Sequence, residues 1–154
     1  MKSKVKRQKV DVRGELNEAE ADTDAPVLTW EEVSRTHRVR NGVYHRGERL
    51  VSLLTDFGRI NPCYPDALSA DGKSIVYTGE GRHGDQLLSP GNRALLSAVG
   101  SGHAVPLFNK LGTGRWQLTG HWRVTAAEHR FDEQERRMLW RFTLKREESG
   151  VGSQ

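Results

Sequence analysis

The apolar residues of this chain come in short runs bounded by turn formers, and that spacing restricts it to a fold built mainly of strands. Leu50–Leu54, Ile75–Thr78, Ala104–Phe108 and Met138–Arg146 are of strand length and rich in β-branched, aromatic or other large apolar side chains. Arg115–Leu118 and His121–Val124 are further strand candidates flanking Thr119-Gly120. Pro106 implies an edge or bulged position, because proline has no N–H to give to a central ladder. Apolar and basic residues alternate over the last seven positions of Met138–Arg146. One face of that strand is therefore buried, and the other presents Arg141, Lys145 or their neighbours. Helical signals are few. Thr29-Trp30-Glu31-Glu32 is a capping box and predicts a helix from about Trp30 to Arg38, stopped by Asn41-Gly42. Gly91–Val99 predicts a helix of two to three turns, ended by Gly100-Ser101-Gly102. Residues 55–74 carry Gly58, Asn61-Pro62, Pro65-Asp66 and Asp71-Gly72 and read as one long loop. A loop of that length in a small domain is characteristically functional. No internal repeat is visible.

Charge is distributed in blocks. Residues 1–13 hold six basic side chains and one acid, and residues 14–32 hold seven acids and no Lys or Arg. The rest of the chain carries 18 basic and 12 acidic residues, and 15 of those 18 are arginine. Arginine suits bidentate contacts to phosphates and base edges better than lysine does. The net charge of +4 over 154 residues therefore conceals a more basic domain, which permits a nucleic-acid partner without requiring one. The first 25 or so residues lack aromatics and apolar periodicity, which also explains the low mean hydropathy of −0.70. The expected organisation is a disordered charged arm over 1–25, one domain over 26–147 and a disordered tail over 148–154. The basic start of the arm could touch phosphates or could simply be solvated.

Several chemistries find no support. No run approaches the length of a membrane span, and the basic N-terminus has no apolar stretch behind it, so a cytoplasmic chain is expected. Cys63 is the single cysteine, which excludes an intramolecular disulfide and any zinc site built on several cysteines. The six histidines show no metal-binding or HNH spacing, and the glycine-rich segment lacks the Gly-Lys-Ser/Thr ending of a P-loop. No catalytic residue, metal or cofactor is expected, and the reading is that the chain is not an enzyme.

One constellation resembles a known family. Tyr77-Thr78-Gly79-Glu80-Gly81, then Gly84-Asp85-Gln86, then Gly91-Asn92-Arg93-Ala94-Leu95 resemble the heart of the SRA (YDG) domain. That family reads modified cytosines in DNA and also occurs in McrA-like HNH restriction endonucleases of bacteria. Leu118-Thr119-Gly120-His121-Trp122-Arg123-Val124 lies where members carry Tyr-Asp-Gly, an aromatic and Val, and Trp140–Arg146 resembles their final strand. The likeness runs from about residue 29 to 147. It departs in two places: Leu118-Thr119 replaces the name-giving Tyr-Asp, and the segment before Tyr77 is rewritten.

The resemblance implies a PUA-like twisted β-barrel with flanking short helices that flips one base, a 5-modified cytosine, into a pocket. Flipping costs a few kcal/mol. Stacking on an aromatic returns about 1–3 kcal/mol per base, so two aromatic faces and a basic rim are needed. By the resemblance Tyr77 is one face, with Thr78 and Gly79 against the base. Tyr64 is the candidate second face, with Phe57 a weaker one, and Asp66 is the carboxylate that would accept from an exocyclic amine. Arg82, His83, Asn92, Arg93, Arg123, Arg141 and Lys145 are the candidate phosphate contacts. Each has a structural alternative: Tyr77 as core, Tyr64 as loop anchor, Asp66 as turn former, the glycines as a turn, Asn92 and Arg93 as a helix cap. The implied partners are double-stranded DNA with a modified base and a nuclease that supplies any cleavage. An RNA-binding PUA- or ASCH-like module and a hydrolase on the same barrel are the competing readings.

Overall fold

A computed structural model describes residues 25–148. The arm expected over 1–25 and the tail expected over 148–154 lie outside the described residues, except at Ala25 and Glu148. The elements are α1 (Trp30–Val33), β1 (Val43–Arg46), β2 (Arg49–Thr55), β3 (Ala67–Leu68), β4 (Ser74–Thr78), α2 (Pro90–Ser101), β5 (Ala104–Gly112), β6 (Arg115–Asp132) and β7 (Arg137–Arg146).

The strands form one seven-stranded sheet in the order β1-β2-β5-β6-β7-β4-β3. The β2–β5 pair is parallel and the other neighbours are antiparallel. A flat sheet would hold β2 and β4 about 19 Å apart at the usual strand spacing. Instead the Tyr77 hydroxyl of β4 donates to the Leu54 carbonyl of β2 at 2.8 Å and lies 3.3 Å from the Gly42 carbonyl. The sheet is thus coiled into the expected barrel. No ladder joins its edge strands β1 and β3 among the described residues, and a side chain laces that seam.

Leu50, Leu53, Ile75, Leu107, Trp122, Phe142 and Leu144 fill the interior, and α2 closes it with Ala94, Leu95 and Ala98. Local chemistry fixes α2 at both ends. Ser89 caps the N-terminus, Pro90 occupies the first turn, and Gly102 ends the helix in the left-handed region at φ 67°. A smaller cluster of Val33, Phe108 and Trp116, with Leu28, Trp30 and Leu54 against it, lies beneath α1. No helix among the described residues is long and apolar enough to cross a membrane.

The structure corrects several local expectations. The capping box forms, with Thr29 N donating to Glu32 Oε1 at 2.8 Å and Glu32 N to Thr29 Oγ1 at 3.1 Å, but the α-helix ends at Val33 and not near Arg38. The chain turns there to bury His37, whose Nε2 lies 2.6 Å from the Asn41 carbonyl and Nδ1 2.7 Å from Ser52 Oγ. The two strands expected around Thr119-Gly120 are a single long β6. Thr119 is an extra residue there, because Leu107 pairs with Gly120 and Phe108 with Leu118. Gly120 has φ 129°, and a Cβ on it would meet the Arg146 guanidinium at 2.6 Å. Arg146 lies over the Trp122 ring at 4.6 Å. Pro106 sits just before the β2 ladder begins at Leu107, so its missing N–H leaves no pairing unmade on that side. Two short strands, β1 and β3, had no signal in the sequence reading.

Candidate functional site

β4 ends at Thr78, and the chain then crosses Gly79–Leu88 to reach α2. The loop after β2 crosses the barrel seam to reach β3, which pairs with β4. Between that loop and residues 79–88 opens a cleft of about 750 Å3 whose lining includes Tyr64, Asp66, Tyr77, Thr78, Gly79, Arg82 and His83. Asp66, Tyr77 and Thr78 are buried at its floor, and Arg82 and His83 are exposed at its rim.

The floor centres on Asp66. Its Oδ2 accepts from Thr55 Oγ1 at 2.6 Å and its Oδ1 from the Thr78 amide at 2.6 Å. Burial pushes its carboxyl up to about 6, against these two hydrogen bonds and the charge of Arg141. At neutral pH the group is therefore ionised, and each oxygen keeps lone-pair capacity beyond the bond it already accepts. Tyr77 belongs to the core as well as to the cleft. Burial, with Asp66 and Glu80 nearby, raises its hydroxyl well above the usual phenol range, so it remains a donor. Tyr64 is half-buried in the loop beside it, with its hydroxyl facing the Gly81 backbone. Asp56 shapes the start of that loop by accepting from Gly58 N at 2.7 Å and Asn61 N at 2.8 Å.

The wall made by residues 79–88 is held by buried side chains. Gln86 donates to the Gly79 and Gly81 carbonyls at 2.7 and 3.1 Å and accepts from Trp140 N at 2.8 Å. Asn92 accepts from Glu80 N at 2.9 Å and donates to the Glu80 and Leu87 carbonyls at 3.0 and 2.9 Å. Gly79 is required by this close approach, since a Cβ there would stand 2.6 Å from Asn92 Oδ1 and 2.9 Å from Trp140 Cβ. Arg137, buried on β7, ties the two walls together. It donates to Gly81 O at 2.7 Å, Gly84 O at 2.9 Å and Cys63 O at 3.0 Å.

Of the residues singled out in the sequence, the five pocket candidates Tyr64, Asp66, Tyr77, Thr78 and Gly79 line this cleft together with Arg82 and His83. The other expected phosphate contacts lie off it. Asn92 is fully buried with its amide consumed by the loop, so its side chain is a clamp and makes no phosphate contact. The α2 N-terminus does receive an anion, but that anion is the Glu80 carboxylate, which accepts from Ser89 Oγ and from Gly91 N at 2.9 Å. Arg93 is exposed and its Nε donates to Leu88 O at 3.2 Å. Arg123 is paired with Glu147, Arg141 reaches Thr78 Oγ1 from the outer face at 3.4 Å, and Lys145 donates to Ser74 Oγ at 3.0 Å. Phe57 packs on the core and not in the cleft. The sequence reading missed Thr55, Gln86 as a latch, and Arg137. Gln86 stands inside the motif that carried the resemblance, whereas nothing in the spacing marks Arg137.

Residues 36–151 match the family described as ScoMcrA-like, SRA domain. No curated protein sequence matches the chain. Among solved structures, the modification-dependent restriction endonuclease TagI aligns with a TM-score of 0.67 at 18% identity, covering 83% of this chain and 51% of that one. The SUVH5 SRA domain bound to fully hydroxymethylated CG DNA aligns with a TM-score of 0.62 at 18% identity, covering 83% and 92%. The same domain with hemimethylated CG DNA gives 0.60 at 21% identity, covering 70% and 73%. At these identities the likeness establishes the fold.

Proposed function

The chain belongs to the ScoMcrA-like SRA domain family, and from that premise we propose that it binds double-stranded DNA and holds one flipped, 5-modified cytosine in the cleft between Tyr77 and Tyr64. The observation that carries the reading is the arrangement at the cleft floor: a buried carboxylate, Asp66, fixed by Thr55 and Thr78 and flanked by two tyrosines. Buried acceptors held in place at a concave site select for a donor of matching geometry, and the exocyclic amine of cytosine is such a donor. Tyr64 stacks on one side of the base. Tyr77 closes the other, held by Leu54 and Gly42, while Thr78 and Gly79 bring backbone against the base edge. Arg82 and His83 meet phosphate at the rim. Extruding a base costs a few kcal/mol, and stacking returns about 1–3 kcal/mol per base. The surplus comes from phosphate contacts.

The SUVH5 domains in the comparison carry methylated or hydroxymethylated DNA, which supports a 5-modified cytosine as the ligand class. TagI is a modification-dependent restriction endonuclease about twice the length of the matched region, which supports a nuclease partner as the source of any cleavage. The test is equilibrium binding at fixed salt to matched duplexes carrying cytosine, 5-methylcytosine or 5-hydroxymethylcytosine, with single-stranded RNA as the control. At least one modified duplex binds more tightly than the unmodified one. Equal affinity for all duplexes would overturn the proposal, and a preference for RNA would favour the PUA- or ASCH-like reading in its place.

A further inference from the structure

The cleft extends beyond the base pocket. Past Leu54 and Gly42 its lining continues to Trp30, Trp116, Arg40 and Lys110, none of which takes part in the pocket described above. Trp30 and Trp116 lie 5.4 Å apart at 47° in the small core beneath α1. Each carries a cation on its ring: the Arg40 guanidinium stands 4.4 Å from the Trp30 centroid, and the Lys110 ammonium 5.7 Å from that of Trp116. Among the described residues neither head group has a carboxylate partner. The carboxylate at this end of the cleft, Asp56, is engaged by the Gly58 and Asn61 amides.

From this geometry we infer a second phosphate-binding rim, formed by Arg40 and Lys110 on their tryptophan supports and separate from the Arg82–His83 rim. It rests on the DNA-binding reading above. An arginine or lysine paired with Asp or Glu offers a phosphate little net charge. A cation parked on an indole keeps its full charge and is held in place, so less side-chain entropy is lost when an anion arrives. Two such cations on one side of the cleft mouth, with Arg82 and His83 also at the mouth, suit a strand whose flipped nucleotide enters the cleft while the phosphates flanking it are gripped on both rims. The contact is with backbone, so it strengthens binding without reading the base.

The test separates this rim from the base pocket. Arg40→Gln and Lys110→Gln, both at side chains that make no hydrogen bond among the described residues, are compared with Arg46→Gln, an exposed arginine outside the cleft lining. Affinity for a duplex with 5-methylcytosine and for its unmodified counterpart is measured across a salt series. Each cleft variant lowers affinity for both duplexes by the same factor and makes the log–log salt slope shallower by about 0.9, while Arg46→Gln leaves the slope unchanged. A methylphosphonate placed at single linkages beside the modified base then locates the contact: a linkage whose neutralisation weakens wild type has no further effect on Arg40→Gln. Wild-type slopes in both cleft variants, with the preference for the modified duplex intact, would overturn the rim alone. A loss confined to the modified duplex would also overturn it, because the rim would then be reading the base substituent. Absence of any modified-base preference in wild type would instead mark failure of the base-pocket reading.

Discussion

Asp66 shows how one buried group couples the site to pH. Burial raises its carboxyl to about 6 from an ordinary value of 3.8. Between those values the folded chain holds a proton that the unfolded chain has released. The contribution of this group to stability is therefore fully present below about pH 4 and is lost as pH rises through about 6, a change of about 3 kcal/mol. Urea unfolding at pH 4 and pH 7 checks this. Wild type loses most of that amount relative to Asp66→Asn, which lacks the titration, and parallel pH profiles for the two proteins would refute the assignment. In the role proposed for Asp66, the ionised form favoured at pH 7 is the better acceptor for an exocyclic amine. Which residues line the cleft floor was largely legible in the sequence. Tyr77-Thr78-Gly79 came from the motif, and Tyr64 and Asp66 from asking what a base pocket requires. Which basic side chains stand at the cleft was less legible, because a sequence shows a charge but not its intramolecular partner. Arg123 has Glu147, and Asn92 has the backbone of Glu80 and Leu87.

At the scale of elements, the longer strands were legible because each has its own apolar run. β1 and β3 were not. β1 (Val43–Arg46) carries Tyr44, His45 and Arg46 after its one buried apolar residue, and β3 has two residues. The continuity of β6 was hidden because Thr119-Gly120 has turn composition but serves as a bulge that admits Arg146. The two cleft walls are irregular segments with little ladder of their own, so their order depends on Gln86, Asn92 and Arg137. Arg137→Ala removes the donors to Cys63, Gly81 and Gly84 at once. Hydrogen bonds from a charged group contribute about 1.5–3 kcal/mol each, and buried carbonyls left unpaired add to the loss. The expected outcome is a destabilisation of at least about 2 kcal/mol, together with faster hydrogen exchange at residues 79–86 than in β5 or β6. Uniform acceleration across the whole sheet would show that Arg137 supports the fold generally and has no special hold on the cleft walls.

For the whole molecule, the proposed function places a pocket for one extruded base in a coiled sheet laced at its seam by Tyr77. Charge distribution permitted a nucleic-acid partner, and the motif around Tyr77 made DNA the reading. The fold adds the reason these residues act together: the β3–β4 pairing, with Ala67 opposite Val76, sets Asp66 beside Thr78, and barrel closure brings Thr55 of β2 against its carboxylate. The most direct measurement is the fluorescence of 2-aminopurine placed next to the modified cytosine in a duplex, recorded at saturating protein. Extrusion removes its stacking neighbour, so fluorescence rises on binding to wild type. With Tyr64→Ala, which gives up about 1–3 kcal/mol of stacking, the rise is much smaller although the duplex is still bound. Saturated binding of the modified duplex by wild type with no change in fluorescence would contradict the account.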